Sequence, residues 1–186
     1  MDVVKMYWSK ESVRAALKTV AVTLCLSVIY YLSVQFTLNL SVTGGGIGIR
    51  VGNSLRALSL VSPLIPVALG LGSYMVNISL GRLFIGLYWL IPILHFALGW
   101  GVYKVAKKEP CIRNFLLLVL YGCFMALIVT VNHALIRFPA ALTSEFYDFF
   151  IKAIQVRLIG EVLATAIVGY PLYLSFQSYK LWKKGR

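Results

Sequence analysis

The sequence predicts an all-α integral membrane protein, a bundle of six transmembrane helices whose second and third members form a short, Pro-interrupted pair. Three observations predict it. Of 186 residues, 60% are hydrophobic and 13% charged, about half the charged fraction of a water-soluble domain. Five long stretches contain no Asp, Glu, Lys or Arg, and twelve of the 18 Lys and Arg gather in three clusters between or beside them. Such a chain is too apolar to be disordered. Its net charge of +12 sits at the edges of apolar runs, not on one polar face, which argues against a nucleic-acid partner and for a lipid bilayer.

A bilayer core about 30 Å thick takes about 20 helical residues. The uncharged runs are Thr19 to Ile49, Ala57 to Gly81, Leu83 to Tyr103, Asn114 to Ile136, and Val162 to Tyr179, the last preceded by Glu161. The first follows Lys5, Lys10, Arg14 and Lys18 as a secretory signal would. Its apolar length is well beyond the usual 7–15 residues, so it is expected to remain in the membrane. The three basic clusters, Lys5/Lys10/Arg14/Lys18, Lys104/Lys107/Lys108/Arg113 and Lys180/Lys183/Lys184/Arg186, belong on the cytoplasmic side by the positive-inside rule.

If all three are cytoplasmic, the chain crosses an even number of times between successive clusters. Three runs lie between the first two clusters, so one must hide two passes. Ala57 to Gly81 carries Pro63 and Pro66, which remove amide donors and break helices. A short helix near 53–62 followed by another near 64–80 restores the count. The expected spans of a single membrane domain over 1–186 are 15–39, 53–62, 64–80, 83–106, 113–136 and 157–179. Both termini are then cytoplasmic in a multi-pass protein of the cell membrane. Interrupted helices at that depth are tolerated where their freed backbone groups face protein or a cavity, and such breaks often mark a ligand site.

The external segments under this topology are Leu40 to Gly52, a turn around Gly81 and Arg82, and Arg137 to Arg157. Gly44, Gly45, Gly46 and Gly48 make the first either a flexible lid or a plain spacer. Glu161 is the one acidic residue inside a span, where a charge costs about 2.5–3.5 kcal/mol on insertion scales and marks a functional position or an interface pair with Arg157. Asn53, Asn77, Asn132 and His133 each need a hydrogen-bond partner in a dry core. All fall toward the external side. Amides, an imidazole and one carboxylate at one depth suit a neutral, planar, polar heterocycle, because a carboxylate accepts two parallel N–H bonds from a guanine-like edge. Trp89 and Tyr88 are candidate stacking walls, and His95 is expected to tie helices together. Ala15, Thr19, Thr23 and Ser27 share one face of the first helix, a small-residue stripe that lets another helix approach, whether inside the bundle or on a partner.

No metal, cofactor or catalytic residue is expected. Cys25, Cys111 and Cys123 have neither Cys-x-x-Cys spacing nor a nearby His and read as packing residues. The glycine run at 44–52 lacks both dinucleotide-binding and P-loop spacing. With no ATP-binding motif, active transport needs a separate energising subunit.

Five motifs together resemble one family: Ile-Arg-Val-Gly-Asn-Ser-Leu at 49–55, Tyr-Met-Val-Asn at 74–77, Thr-Val-Asn-His-Ala-Leu at 130–135, Gly-Glu-Val-Leu at 160–163 and Gly-Tyr-Pro-Leu at 169–172. From Ala15 to Ser175 the chain is similar to the QueT-type, queuosine-precursor substrate-binding subunits of energy-coupling factor transporters. The family's Ser-Glu-Ala after the Arg is here Gly52-Asn53-Ser54. The resemblance implies a six-helix subunit that captures a vitamin-like small molecule outside and passes it inward with a coupling transmembrane protein and two ATPase subunits. It implies that Ala15, Thr19, Thr23 and Ser27 form the docking surface for the coupling protein. Arg50, inside the first motif, joins Glu161, Asn53, Asn77, Asn132, His133 and Trp89 as a candidate substrate-binding residue. The expected ligand is a 7-deazaguanine-type precursor, with another vitamin as the alternative. From other classes, a scaffold without ligand uses the polar groups only as ties, and a membrane enzyme acting on lipid or isoprenoid uses Glu161 and His133 as acid and base. Metal-assisted or phosphoryl-transfer chemistry normally wants more carboxylates than one.

Overall fold

The computed structural model describes residues 10–41, 51–139 and 143–184, and no strand occurs among them. Helix α1 (Lys10–Ser41) is followed by a 3-10 helix (Val51–Leu60), α2 (Leu64–Ser79), α3 (Leu90–Val105) and α4 (Ile112–Arg137). A last continuous helical run comprises α5 (Ser144–Val162), a π-helical segment (Leu163–Val168) and α6 (Gly169–Lys184). The Leu40 to Gly52 segment with its glycines, and Arg50 in it, lies largely outside the described residues.

Side-chain contacts give the direction of each element. Gln35 Nε2 donates to Ser79 Oγ at 2.6 Å and Gly72 packs on Ser27 and Tyr30, so α2 runs alongside α1 in the same sense. The 3-10 helix runs back between them, from Gly52 against Val34 to Ser59 beside Gly99. Gly70 lies against Pro92 and Gly99 against Pro66, making α3 antiparallel to α2. Gly122 meets Glu161 and Asn114 Nδ2 donates to Tyr173 Oη at 3.1 Å, making the last run antiparallel to α4. The start of α1, the 106–111 connection and the end of α6 therefore gather at one end of the bundle, which is where the three basic clusters belong. Asn114 pins that connection through Lys107 N and Lys107 O, both at 2.9 Å.

Two helical stretches, Glu11–Phe36 and Ile112–Arg137, are long and apolar enough to cross a membrane. Large apolar side chains also face outward: Leu17, Phe36, Phe84, Ile112 and Leu120 are exposed. Inside, Leu118, Tyr121, Met125 and Tyr173 centre the main core, while Tyr30, Val34, Ile65, Leu69 and Val76 bind α1 to α2.

Three sequence expectations change. The break at Ser62–Pro63 is real, but the segment before it is a 3-10 helix, whose rise of about 2.0 Å per residue stretches ten residues to about 20 Å, two-thirds of a bilayer core where an α-helix at about 1.5 Å per residue would cover half. The expected span 83–106 is helical only from Leu90, because residues 80–89 form successive turns. The expected span 157–179 and the external segment before it are one helical run starting at Ser144. Charges at Glu145, Asp148, Lys152 and Arg157 interrupt an apolar run without opposing a helix, and Thr143 Oγ1 caps the first turn by accepting from Phe146 N at 3.3 Å. The π segment lies just before Pro171, which has no amide proton and whose ring crowds the carbonyl four residues back.

The 80–89 turns are held by α4. Asn132 Oδ1 accepts from Leu87 N at 2.6 Å, and the chain reaches it through Gly86, whose φ is +55°. A Cβ at Gly86 would stand 2.6 Å from Asn132 Oδ1. Gly81 also has positive φ, +62°, but open space around it. Gly86→Ala is expected to destabilise the protein by about 1–3 kcal/mol and Gly81→Ala by distinctly less, read as melting temperatures in detergent. Equal effects would mean that the Asn132 clamp is not what holds the turn.

Candidate functional site

Asn53, Arg56 and Ser59 recur every third residue along the 3-10 helix, and 3.0 residues per turn stacks them in one row. In an α-helix they would fan apart. All three are buried, with neighbouring Ala57 at 0% exposure. The row reaches the bundle axis because the opposing helix carries Gly169, where a Cβ would stand 2.9 Å from both Ala57 Cβ and Ser54 O.

Facing the row is Glu161, the penultimate residue of α5, with the π segment immediately after it. Its Oε2 accepts from Asn53 Nδ2 at 2.8 Å and forms a salt bridge with Arg56 Nη1. Arg56 Nη1 also donates to Thr165 Oγ1 of the π segment at 3.2 Å, and its guanidinium carbon lies 5.5 Å from the Tyr121 ring centroid. Arg56 Nε is buried without a partner. Two departures from α-helical geometry thus meet at one buried ion pair. Asn53 is oriented unambiguously: with Nδ2 on the carboxylate, Oδ1 is the acceptor for Tyr30 Oη at 3.3 Å.

Beyond the pair lies a cavity of about 50 Å³, room for a few waters at about 10–15 Å³ each. Its lining comes from every side: Tyr30 of α1, Asn53 and Arg56, Asn77 of α2, Tyr88, His95 of α3, His133 of α4 and Glu161. Of its lining residues, Arg82 is exposed and Leu80 and His133 are half-buried. The opening is therefore at the end of the bundle carrying the 80–89 turns, opposite the basic end.

Two imidazoles sit in this wall. Tyr121 Oη donates to the His95 carbonyl at 3.0 Å, and having one proton it must accept from His95 Nδ1 at 3.2 Å. His133 Nε2 meets Tyr88 Oη, and Arg157 Nη2 donates to His133 Nδ1 at 2.9 Å.

The expected site residues divide. Glu161, Asn53, Asn77 and His133 do line one cavity. Asn77 is also a tie, donating from Nδ2 to Tyr88 O at 2.9 Å. Asn132 is fully buried but behind the wall, where it clamps the turn. Trp89 is 49% exposed and outside the lining, since the turn points neighbouring Tyr88 inward instead. The interface pair between Glu161 and Arg157 does not form: Glu161 takes Arg56, and Arg157 takes His133. His95 ties helices as expected and lines the cavity as well. Arg56 is the cavity-lining charge that the sequence reading missed, and the three-residue period of Asn53, Arg56 and Ser59 was the available signal. The small-residue stripe turns partly inward. Thr23 and Ser27 are buried, their hydroxyls donating to the carbonyls four residues back at 2.9 and 2.8 Å, which leaves Ala15 and Thr19 exposed. No group of three or more His, Cys, Asp or Glu able to hold a metal occurs among the described residues.

Compared with known proteins, the chain matches no family model, no curated protein and no solved structure.

A buried pair that loses one partner leaves an uncompensated charge, at a cost of about 3–5 kcal/mol, whereas replacing both by apolar groups is often neutral. Arg56→Met and Glu161→Leu are each expected to destabilise by that amount, and the double variant to recover most of it, in denaturant or thermal unfolding of the detergent-solubilised protein. Additive losses would show that the two side chains act independently.

Proposed function

We propose that the protein is the substrate-capturing membrane subunit of an importer, a non-enzymatic binding protein for a small planar polar heterocycle of the 7-deazaguanine type. One observation carries this reading: a buried carboxylate, a guanidinium, two amides and two imidazoles from five elements converge on one cavity that opens at the end of the bundle away from the basic segments. Ties between helices alone would not need to surround a common space. Asn53 and Arg56 both use Glu161 Oε2, so Oε1 is the oxygen for a ligand N–H, with Asn53 and Asn77 orienting the ring. The cavity is small, and a ring enters by displacement of Leu80 and Arg82 at the mouth.

The outward apolar side chains and the two long apolar helices support a bilayer location, because exposed apolar surface on this scale is unusual in a soluble monomer. With the basic end cytoplasmic, six passes leave both termini inside and the cavity outside, in the cell membrane. The resemblance to QueT-type subunits supports a coupling transmembrane protein and two ATPase subunits as partners. Ala15 and Thr19, the exposed half of the small-residue stripe, are the positions for that docking. A lipid-directed enzyme is less favoured: Glu161 is neutralised by Arg56, and His133 Nδ1 is already occupied by Arg157.

Small molecules released on denaturation of the purified protein are expected to include a 7-deazaguanine-type base, identified by mass spectrometry. Adding such a base at a hundred times its dissociation constant should stabilise the protein by about 2.7 kcal/mol. Failure of every candidate heterocycle to shift the melting temperature rejects the ligand class. A cysteine at position 82 should react with an impermeant thiol reagent from outside intact cells, and protection there would reverse the topology.

A further inference from the structure

The cavity's outer wall carries a chain of hydrogen bonds whose direction follows from proton counting. Arg157 stays protonated and has only donors, so at 2.9 Å its Nη2 donates and His133 Nδ1 must be a bare acceptor. His133 is then the neutral tautomer with its proton on Nε2. That proton goes to the Tyr88 hydroxyl oxygen, which meets Nε2. Tyr88 therefore accepts from His133 and keeps its own proton to give away, and both residues line the cavity. Beside them Arg82, the exposed member of the lining, holds its guanidinium carbon 6.0 Å from the Tyr88 ring centroid. Arg157 stands directly behind the imidazole. The lining's carboxylate, Glu161, stands one turn further along α5 than Arg157 and is paired with Arg56.

From this we infer that the Tyr88 hydroxyl, turned by the His133–Arg157 relay, is a specificity-determining donor which with Arg82 makes the outer wall select a hydrogen-bond acceptor and reject a cation. The inference rests on the heterocycle reading above and extends it. The ligand presents N–H groups to Glu161 at one edge and an uncharged or anionic acceptor at the opposite edge. A ligand whose far substituent is an ammonium would meet a donor hydroxyl with the Arg82 guanidinium beside it and the Arg157 guanidinium behind the imidazole. Tyr88 positions and selects by this one bond, whereas His133 and Arg157 act only through it.

Two probes share a ring and differ in that substituent: 7-cyano-7-deazaguanine ends in a neutral acceptor, and 7-aminomethyl-7-deazaguanine in a cation. The full-length protein in detergent is expected to bind the cyano compound at least tenfold more tightly, by titration calorimetry. Tyr88→Phe, which keeps the ring and its packing, should lower cyano affinity by roughly five- to tenfold and leave the aminomethyl compound unchanged. A preference for the aminomethyl compound, or a preference that survives Tyr88→Phe intact, overturns the inference. Nitrogen-15 NMR of the two imidazoles supplies a readout that needs no ligand, with His133→Gln assigning the signals. His133 should appear as the neutral tautomer protonated at Nε2; protonation at Nδ1, or a doubly protonated ring, overturns the inference. If neither probe binds, the heterocycle reading falls separately and the NMR result decides the direction of the relay.

Discussion

The structure depends on one buried ion pair. Arg56 and Glu161 are separated by more than a hundred residues, and both are almost wholly removed from solvent. Desolvating two charges costs several kcal/mol each, repaid only when geometry and further hydrogen bonds are good. The molecule supplies them with Asn53 on the carboxylate and Thr165 on the guanidinium. Apolar side chains of the same volume would hold the helices as well, so stability alone does not account for two charges in this position.

Both elements that carry the pair leave ordinary helical geometry where they meet. The 3-10 helix aligns Asn53 with Arg56, and the π segment begins two residues after Glu161 and brings Thr165 to Arg56. Ten residues of 3-10 helix are unusual, and π turns are rare overall and frequent at functional sites. The close approach at Gly169 lets the two backbones bring short polar side chains together without a spacer. Geometry that costs energy in both partners is thus spent on one set of polar contacts beside a cavity.

The cavity has two walls of different character. Toward the bundle axis, the carboxylate has one oxygen occupied by Asn53 and Arg56. Toward the mouth, a relay from Arg157 through His133 ends on a phenol, with a second guanidinium alongside. For the heterocycle proposed above, walls of this kind would read orientation as well as identity, because a ligand turned end for end would set donor against donor and acceptor against acceptor.

Much of the fold was legible in the sequence, because helix propensity, apolar run length and basic clusters are local properties. The Pro63 break, the short helical segments on either side of it and the gathering of the basic segments at one end all follow from them. Glu161, Asn53, Asn77 and His133 were legible as polar residues in apolar surroundings. Arg56 was not, because a cation beside Asn and Ser reads as the polar edge of a short helix until a carboxylate is known to face it. Trp89 and Tyr88 are adjacent and equally aromatic, and which of them points inward depends on the Gly86 turn that Asn132 clamps. Composition and periodicity therefore determined the helices and their polar members, whereas the choice of partners belongs to tertiary structure alone: an ion pair or a lining residue is a distance across the fold, and no local pattern encodes it.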